Sequence, residues 1–236
     1  MFDFQFDAVR TQSDTAHSRY VQRIRRRYPL ELAAFADACP GVPSKAAMQD
    51  LVAHLLSGGR ELAAALRVAR QLVIERLATQ DVEGGAAMAD IGLAMTHLAE
   101  VTLDVALAHA EAEARARHGS PVNAQGQVID MWVVGMGKLG GRELNVSSDI
   151  DLVYVYEEDG ETPGVVDDNG VQRGAVSAHE FFSTVARRLS TLIGDTTEDG
   201  FVFRVDLALR PNGNSGPPVV SLSMLEEYFQ IGRAHV

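Results

Sequence analysis

The segment at residues 135–156, GMGKLGGRELNVSSDIDLVYVY, constrains the fold and the chemistry of this chain more than any other. A glycine-rich turn leads through two serines to two aspartates, which stand two residues apart at the start of an apolar run. Because side chains at i and i+2 of a strand point to the same face, Asp149 and Asp151 are expected to lie side by side. Two ionised carboxylates so close repel each other unless a divalent cation lies between them, and hard oxygen ligands suit Mg²⁺.

A second segment, FVFRVDLALR at residues 201–210, alternates apolar and polar residues, which predicts a half-buried strand. Its polar face contains one acid, Asp206, between two basic residues, Arg204 and Arg210. We predict that this strand lies beside the strand with the aspartate pair, so that three carboxylates converge on one or two Mg²⁺ ions. The arginines would supply positive charge for a bound phosphate.

The composition is that of a globular protein, with 46% hydrophobic and 22% charged residues over 236 positions. Its apolar runs are too short and too interrupted to predict a membrane span, and no secretory segment follows Met1. Cys39 is the single cysteine, which excludes an internal disulfide and favours a reducing, cytoplasmic compartment. The formal net charge of -11 disfavours general nucleic-acid binding, which requires a basic surface.

The first half of the chain has the pattern of successive helices. Apolar residues recur at helical spacing in two long segments. These stripes are Leu62, Leu66, Ala69, Val73 and Leu77 in the first segment, and Ile91, Met95, Leu98, Thr102 and Val105 in the second. Paired glycines at 58–59 and 84–85 predict the breaks before these helices, and Gly119 with Pro121 predicts the end of the second. Residues 1–118 are therefore predicted to form a helical N-terminal region.

Residues 119–230 predict an α+β catalytic unit with a small mixed sheet. Short strands are expected at 129–134 and 149–156, on either side of the glycine turn. An acidic, glycine-rich surface loop and then a helix follow the second strand. Capping-box signatures predict two helix starts, at Ser177–Glu180 and at Ser223–Glu226. The predicted fold class of the whole chain is α+β.

The glycine turn also matches G-x-G-x-x-G, the fingerprint of a dinucleotide-binding Rossmann unit. That unit needs a crossover helix of about a dozen residues between two parallel strands. Only residues 141–148 are available here, and several of them are poor helix formers. The Rossmann interpretation is disfavoured but stays open as an alternative, whereas the P-loop motif G-x-x-x-x-G-K-[ST] does not occur in the sequence.

The preferred interpretation places a phosphate chain against the turn. Glycine lets backbone N–H groups approach a ligand closely, and serine hydroxyls donate hydrogen bonds to phosphate oxygens. The predicted nucleotide- and phosphate-binding residues are Gly137, Lys138, Gly140, Gly141, Ser147, Ser148, Arg204 and Arg210. With Asp149, Asp151 and Asp206 as catalytic, metal-binding acids, the set predicts metal-dependent nucleotidyl transfer.

The motifs GMGKLGGRELNVSSDIDLVYVY and DGFVFRVDLALRPNGNSGP resemble the glutamine synthetase adenylyltransferase/adenylyl-removing enzyme family. They stand in the order that this family has, with a variable loop and a helix between them. Weaker similarity covers HSRYVQRIRRRYP, RELAAALRVARQLVIERLA and HGSPVNAQGQ, so that the resemblance extends from about His17 to Gln230. The turn and its ELNVSSDIDL continuation are most similar to the N-terminal, adenylyl-removing half of the family.

The resemblance implies a DNA polymerase β-like nucleotidyltransferase fold with Mg²⁺ as cofactor. It places Asp149, Asp151 and Asp206 at the family's metal-binding acids, and Gly140, Gly141 and Ser148 at the glycine–serine signature. The implied reaction is phosphorolytic removal of AMP from adenylylated tyrosine of glutamine synthetase, which gives ADP, in a bifunctional enzyme whose other half attaches AMP from ATP. The implied partners are glutamine synthetase, ATP or ADP, inorganic phosphate and a PII-type signalling protein.

The last six residues, IGRAHV at 231–236, depart from the family pattern and match what a common sequencing-adapter stretch encodes. We therefore expect a non-native tail there, a natural segment that ends near Gln230, and loss of the family's second half. Under that expectation the activity of this chain alone is open. A non-catalytic regulatory fragment, which would hold glutamine synthetase or a PII-type protein through its helices, is the second alternative.

Overall fold

The computed structural model describes residues 15–166 and 169–233. Residues 234–236 of the predicted tail and the first fourteen residues of the predicted helical region lie outside this part of the chain. Within it, a series of helices precedes a small mixed sheet, and further helices lie between and after the strands. The predicted α+β class is confirmed.

The helical region is built on two long helices whose apolar stripes face the core. Its helices are α1 (Arg19–Arg27), α2 (Pro29–Ala38), α3 (Lys45–Ser57), α4 (Leu62–Val82) and α5 (Met88–His118). Leu66 in α4 and Leu98 in α5, both members of the predicted stripes, are fully buried. The second long helix, α5, ends where predicted. Gly119 follows it with a φ of 76°, a positive value that favours glycine.

Helix α5 corrects one expectation from the sequence. In the part of the chain that the structure describes, it is long and apolar enough to cross a membrane by length and composition, with a mean hydropathy of 1.4 in its most apolar window. Of that window, 56% is buried inside the fold. The helix is apolar on several sides because it packs against α3, α4 and a later helix, α7 (Ala178–Gly194). A core helix passes the same test, so this finding is weak evidence for a membrane span.

The sheet is organised around one central strand. Its strands are β1 (Met131–Gly135), β2 (Ile150–Tyr156), β5 (Val205–Asp206) and β6 (Val219–Ser221), and the predicted acidic loop contains a hairpin of β3 (Val165–Val166) and β4 (Gln172–Arg173). Strand β1 pairs antiparallel with one edge of β2. Strands β5 and β6 both pair parallel with β2, β5 at its beginning and β6 at its end. The beginning of β2 is thus the place where the two sequence motifs meet.

The two faces of the sheet pack against different helices. On one face the Tyr156 ring stacks on Phe182 of α7, with 5.3 Å between ring centroids, and Phe181 and Phe182 are both fully buried. On the other face Val153 and Val155 form a smaller cluster with Val220, against Leu225 of α8 (Leu222–Arg233). A short helix, α6 (Gly137–Gly140), links β1 to β2.

The strand predicted over residues 201–210 is much shorter in the structure. Only Val205 and Asp206 form a strand. The Asp206 carboxylate accepts a hydrogen bond of 2.7 Å from the backbone N–H of Ala208, which turns the chain away from the sheet. Leu209, predicted on the apolar face, is therefore 51% exposed.

One of the two predicted capping boxes is confirmed and the other is wrong. At the start of α7, Glu180 N donates to Ser177 Oγ (3.2 Å) while Ser177 N donates to Glu180 Oε2 (3.1 Å). Helix α8 begins earlier than predicted. The hydroxyl that caps it belongs to Ser221, which accepts from Met224 N at 3.3 Å. The S-x-x-E spacing at Ser223 lies inside the helix because β6 passes into α8 without a loop.

Candidate active site

Asp151 and Asp206 lie side by side at the beginning of β2. In the parallel pair of β2 and β5, Ile150 is the partner of Val205 and Asp151 is the partner of Asp206. Neighbouring strands are about 4.8 Å apart, and residues in register point to the same face. The predicted adjacency of the two strands is confirmed, and two of the three predicted carboxylates share one face of the sheet. Asp151 is half-buried and Asp206 is exposed.

Asp149 forms an ion pair with Arg204 one step earlier in the same ladder. The strand register that matches Asp151 with Asp206 also brings these two residues opposite each other, since Ile150 N donates to Arg204 O at 2.9 Å. Arg204 Nη2 donates in addition to the carbonyl of Ser147 at 2.9 Å. The side chains of the ion pair are 59% and 48% exposed, so solvent screens it and its contribution to stability is small. Its effect is local, because it neutralises one carboxylate beside Asp151.

The glycine turn brings its backbone against the Asp151 carboxylate. Gly137 has a φ of +52°, and a Cβ at this position would lie only 2.8 Å from Asp151 Oδ2. A Cβ at Gly140 would lie 2.6 Å from the carbonyl oxygen of Gly135, so only glycine allows α6 to pack this closely against β1. The turn is fixed to β2 by a hydrogen bond of 2.9 Å from Met136 N to Asp151 O. The sequence G-x-G-x-x-G thus brings backbone close to a carboxylate.

The donor groups fit Mg²⁺ by their chemistry, although they do not form a closed cage. Among the described residues, Asp151 and Asp206 take part in no ion pair, and no three His, Cys, Asp or Glu side chains are placed to hold a metal ion together. Asp149 is engaged by Arg204 instead. Magnesium commonly keeps several waters and binds one or two protein carboxylates together with substrate phosphates. Two adjacent carboxylates beside the glycine turn suit that mode, and the role of all three acids as ligands stays a prediction.

The other predicted phosphate-binding residues of the turn lie along different clefts. Lys138 and Gly141 line a cleft of about 760 Å³ between the turn and the beginning of α5. Gly140 lines another of about 470 Å³, between β1 and α5. The three aspartates line neither cleft. The binding of nucleotide by Lys138, Gly140 and Gly141 stays a prediction.

Arg210 is engaged by its own loop. Its guanidinium donates to the carbonyls of Leu207 (2.7 Å), Pro217 (3.1 Å) and Gly216 (3.3 Å). These bonds hold the segment between β5 and β6 in shape. The structure records no contact between Arg210 and the carboxylates within the described residues, so its predicted role in phosphate binding has no geometric support.

Ser147, Ser148 and Arg204 line a smaller pocket of about 230 Å³. Two further polar residues of this pocket, Tyr20 of α1 and Arg70 of α4, belong to the helical region and were not predicted. The sequence contains one signal for them, an arginine that interrupts an otherwise apolar stretch of α4. Nothing in the local pattern indicates which loop that arginine faces, because the contact joins segments more than seventy positions apart.

The pairing of β1 with β2 excludes the Rossmann alternative. The two strands are antiparallel neighbours with five residue pairs in register, and α6 between them has four residues. A dinucleotide-binding unit requires parallel strands joined by a crossover helix. The glycine fingerprint is present in this chain without the fold that gives it that function.

A family model described as glutamate-ammonia ligase adenylyltransferase matches residues 10–233. The chain belongs to this family. The resemblance inferred from the two motifs is therefore confirmed, and the match includes both the helical region and the sheet. It extends three residues into the predicted tail, whose origin stays a prediction.

Curated relatives of the family cover most of the chain. It is 44% identical over 222 residues to a protein of Burkholderia pseudomallei, which covers 92% of this chain, and 43% identical over 221 residues to one of Ralstonia nicotianae, which covers 91%. A protein of Chromobacterium violaceum is 45% identical over 175 residues, or 74% of the chain. All three are named bifunctional glutamine synthetase adenylyltransferase/adenylyl-removing enzyme. The matches cover 23%, 22% and 19% of these relatives, so the chain spans less than a quarter of their length.

Proposed function

We propose that this chain contains a nucleotidyl-transfer site that controls glutamine synthetase. The reaction that we propose is phosphorolytic removal of AMP from adenylylated tyrosine, in a bifunctional enzyme that also attaches AMP from ATP. The register of Asp151 with Asp206 supports this proposal most directly, because it puts two unpaired carboxylates beside a glycine turn in a chain of this family. The names of the relatives give both directions of the reaction.

In the proposed reaction an oxygen of inorganic phosphate forms a bond to the phosphorus of the AMP group. The bond from that phosphorus to the tyrosine oxygen breaks. The products are ADP and a tyrosine phenolate, which takes a proton from water. Transfers of this kind depend on positioning and on neutralisation of charge more than on covalent help from the protein.

The residues of the site have separate tasks in this reaction. Asp151 and Asp206 would hold Mg²⁺, which when bound neutralises charge on the phosphates and on the leaving oxygen. Arg204 donates hydrogen bonds to Asp149 and to the Ser147 carbonyl. Because a guanidinium has five N–H donors, further N–H groups remain for a phosphate oxygen. Gly137 lets the backbone of the turn lie against the Asp151 carboxylate, because any side chain there would meet Asp151.

Asp151→Asn tests the proposal through the formation of ADP. The assay supplies adenylylated glutamine synthetase, inorganic phosphate and Mg²⁺. It uses this chain and the same chain fused to the remaining part of the Burkholderia pseudomallei relative. The variant is expected to lose activity about a thousandfold or more, because a lost metal ligand removes several kcal/mol of transition-state stabilisation. Glu157→Gln is the matched control, since it removes an exposed carboxylate just beyond the other end of β2.

The outcomes separate the candidate functions. Undiminished formation of ADP by Asp151→Asn would contradict the assignment of the metal site. If neither form of the chain makes ADP but both attach AMP from ATP, the site works in the transferring direction. If neither the wild-type chain nor the fusion forms ADP, and the chain alone attaches no AMP while still binding glutamine synthetase, the chain acts as a non-catalytic fragment.

A further inference from the structure

The small pocket beside the site, hereafter the Arg70 pocket, has an unusual set of polar groups. Its polar lining consists of Tyr20, Arg70, Ser147, Ser148 and Arg204. Two arginines and three hydroxyls thus face one cavity, and no acidic residue lines it in the part of the chain that the structure describes. All of these polar groups donate hydrogen bonds, and the two arginines give the pocket positive charge.

Two of the donors are buried next to each other. The side chains of Arg70 and Tyr20 interact, but Arg70 Nε and Tyr20 Oη are both shielded from solvent and neither atom makes a hydrogen bond of acceptable geometry among the described residues. A buried donor that is left unsatisfied costs about 1–3 kcal/mol, and more when it is charged. Such groups are rare in native proteins, and an ion that the structure does not contain is one of their ordinary explanations.

The two guanidinium groups flank the same aromatic ring. Arg70 Cζ lies 5.0 Å from the centroid of Phe201, and Arg204 Cζ lies 6.0 Å from it. Burial lowers the pKa of Arg70, the neighbouring Tyr20 opposes this effect, and the positive charge of Arg204 adds to it. Like charges repel each other in a partly buried site, and an anion bound in the same pocket would reduce that repulsion.

We propose that the Arg70 pocket binds one tetrahedral oxyanion of the phosphate class. Guanidinium groups and hydroxyls are the donors that phosphate takes, and arginine in particular binds its oxygens with two parallel hydrogen bonds. The volume of about 230 Å³ is below the usual range of pockets for larger ligands, so it suits a phosphate group and not a whole nucleotide. The ion is inorganic phosphate or the terminal phosphate of a nucleotide whose remainder lies outside.

The pocket is connected to the carboxylates by one residue. Arg204 lines the pocket with one part of its side chain and pairs with Asp149 through Nε. An oxyanion held here would therefore lie next to the ladder that contains Asp151 and Asp206. The idea that this oxyanion is the attacking phosphate rests on the proposed function. Binding of the oxyanion to the Arg70 pocket does not require any reaction.

Binding of phosphate to this chain tests the inference without metal or adenylylated protein. Calorimetric titration with inorganic phosphate, and separately with ATP, is done at constant ionic strength for wild type and Arg70→Gln. Arg70→Gln is expected to weaken binding about tenfold or more, because a charge-assisted contact is lost. Arg187→Gln is the matched control. It removes one positive charge from the exposed face of α7, where Arg187 donates only to Thr184 within the described residues, and its affinity should equal that of wild type.

The two ligands distinguish the sources of the ion. Weaker binding of inorganic phosphate by Arg70→Gln supports a site for the free ion, and the same result with ATP alone supports a site for a terminal phosphate. No binding of either ligand at millimolar concentration, or equal binding by Arg70→Gln and wild type, would overturn the inference. If circular dichroism shows that Arg70→Gln does not fold, the same titrations are done with Tyr20→Phe. Loss of that hydroxyl should weaken binding several-fold, and an unchanged affinity would overturn the inference. None of these results depends on the outcome of the ADP assay.

Discussion

Arg67 and Arg70 lie one turn apart on α4, and their buried guanidinium groups differ in how far they are hydrogen-bonded. Arg67 is 1% exposed, and its guanidinium donates to the carbonyls of Ala63 (2.8 Å), Gly200 (2.9 Å) and Leu192 (3.0 Å) as well as to that of Asp195. Arg70 faces the Arg70 pocket with its Nε unsatisfied among the described residues. Burial lowers the pKa of both guanidinium groups, but the carboxylates of Asp195 and Asp199 oppose that effect only at Arg67.

The difference separates groups that hold the fold from groups that remain available to a ligand. Arg67 connects the helical region to the end of α7 and to the turn before β5, where the chain leaves backbone carbonyls without helical partners. At the candidate site, by contrast, Asp151 and Asp206 take part in no ion pair and Arg70 Nε makes no hydrogen bond within the described residues. We infer that the Arg67 junction supports stability, whereas the site retains unsatisfied charge for its ligands.

Arg67→Met should have the largest effect on stability. The substitution keeps an apolar stem of similar length but leaves several buried carbonyls without their donor. The free energy of unfolding is expected to fall by roughly 3–5 kcal/mol, the usual cost of removing one partner from a buried polar network. Urea denaturation followed by circular dichroism measures this change. Arg187→Met on the exposed face of α7 is the control and should change stability by less than about 0.5 kcal/mol. A similar small change for Arg67→Met would contradict the division between junction and site.

The capping box of α7 provides a smaller test with exposed groups. Ser177→Ala removes an N-cap acceptor and should lower stability by about 1 kcal/mol. The backbone and side chain of Ser177 donate to Glu180 and lower the pKa of that carboxyl below its ordinary value of 4.5. Because the folded pKa is lowered, the stabilisation is complete above pH 4.5 and is lost as the pH falls through the folded pKa.

Glu180→Gln checks the sign of that pH dependence. Its stability relative to wild type should be constant above the unfolded pKa, and the two proteins should converge as the pH falls below it. Thermal unfolding followed across this range measures the difference. A gap that widened toward acid pH would show that the ionised carboxylate does not support the helix. The comparison with Asp151 then tests two kinds of acid, because Glu180 has hydrogen-bond partners whereas Asp151 takes part in no ion pair within the described residues.

The sequence predicted those parts of the fold that depend on local periodicity. The stripes of α4 and α5, the capping box at Ser177 and the strand after Asp149 follow from spacing alone, and the structure confirms them. The prediction that the strands with Asp151 and Asp206 are neighbours was also correct. Two short strands of one small sheet have few ways to pair.

Some of the parts that failed depend on local side-chain hydrogen bonds, and others depend on contacts between distant segments. Alternation up to Arg210 predicted a long strand, but the hydrogen bond between Ala208 N and the Asp206 carboxylate ends β5 after two residues. The pairing of Asp149 with Arg204 and the position of Arg70 arise from the packing of separate elements, which no local pattern contains. The second capping box failed for a simpler reason, since Ser221 offers a hydroxyl two residues earlier.

The central claim is that Asp151 and Asp206 bind one divalent cation together. Equilibrium binding of Mn²⁺, a paramagnetic substitute for Mg²⁺, measures this directly on the wild-type chain and on three variants that unfold at the same urea concentration. The account predicts that Asp151→Asn and Asp206→Asn each weaken Mn²⁺ binding at least about tenfold, whereas Glu157→Gln leaves it unchanged. Equal Mn²⁺ affinity in the wild type and both aspartate variants would contradict the account.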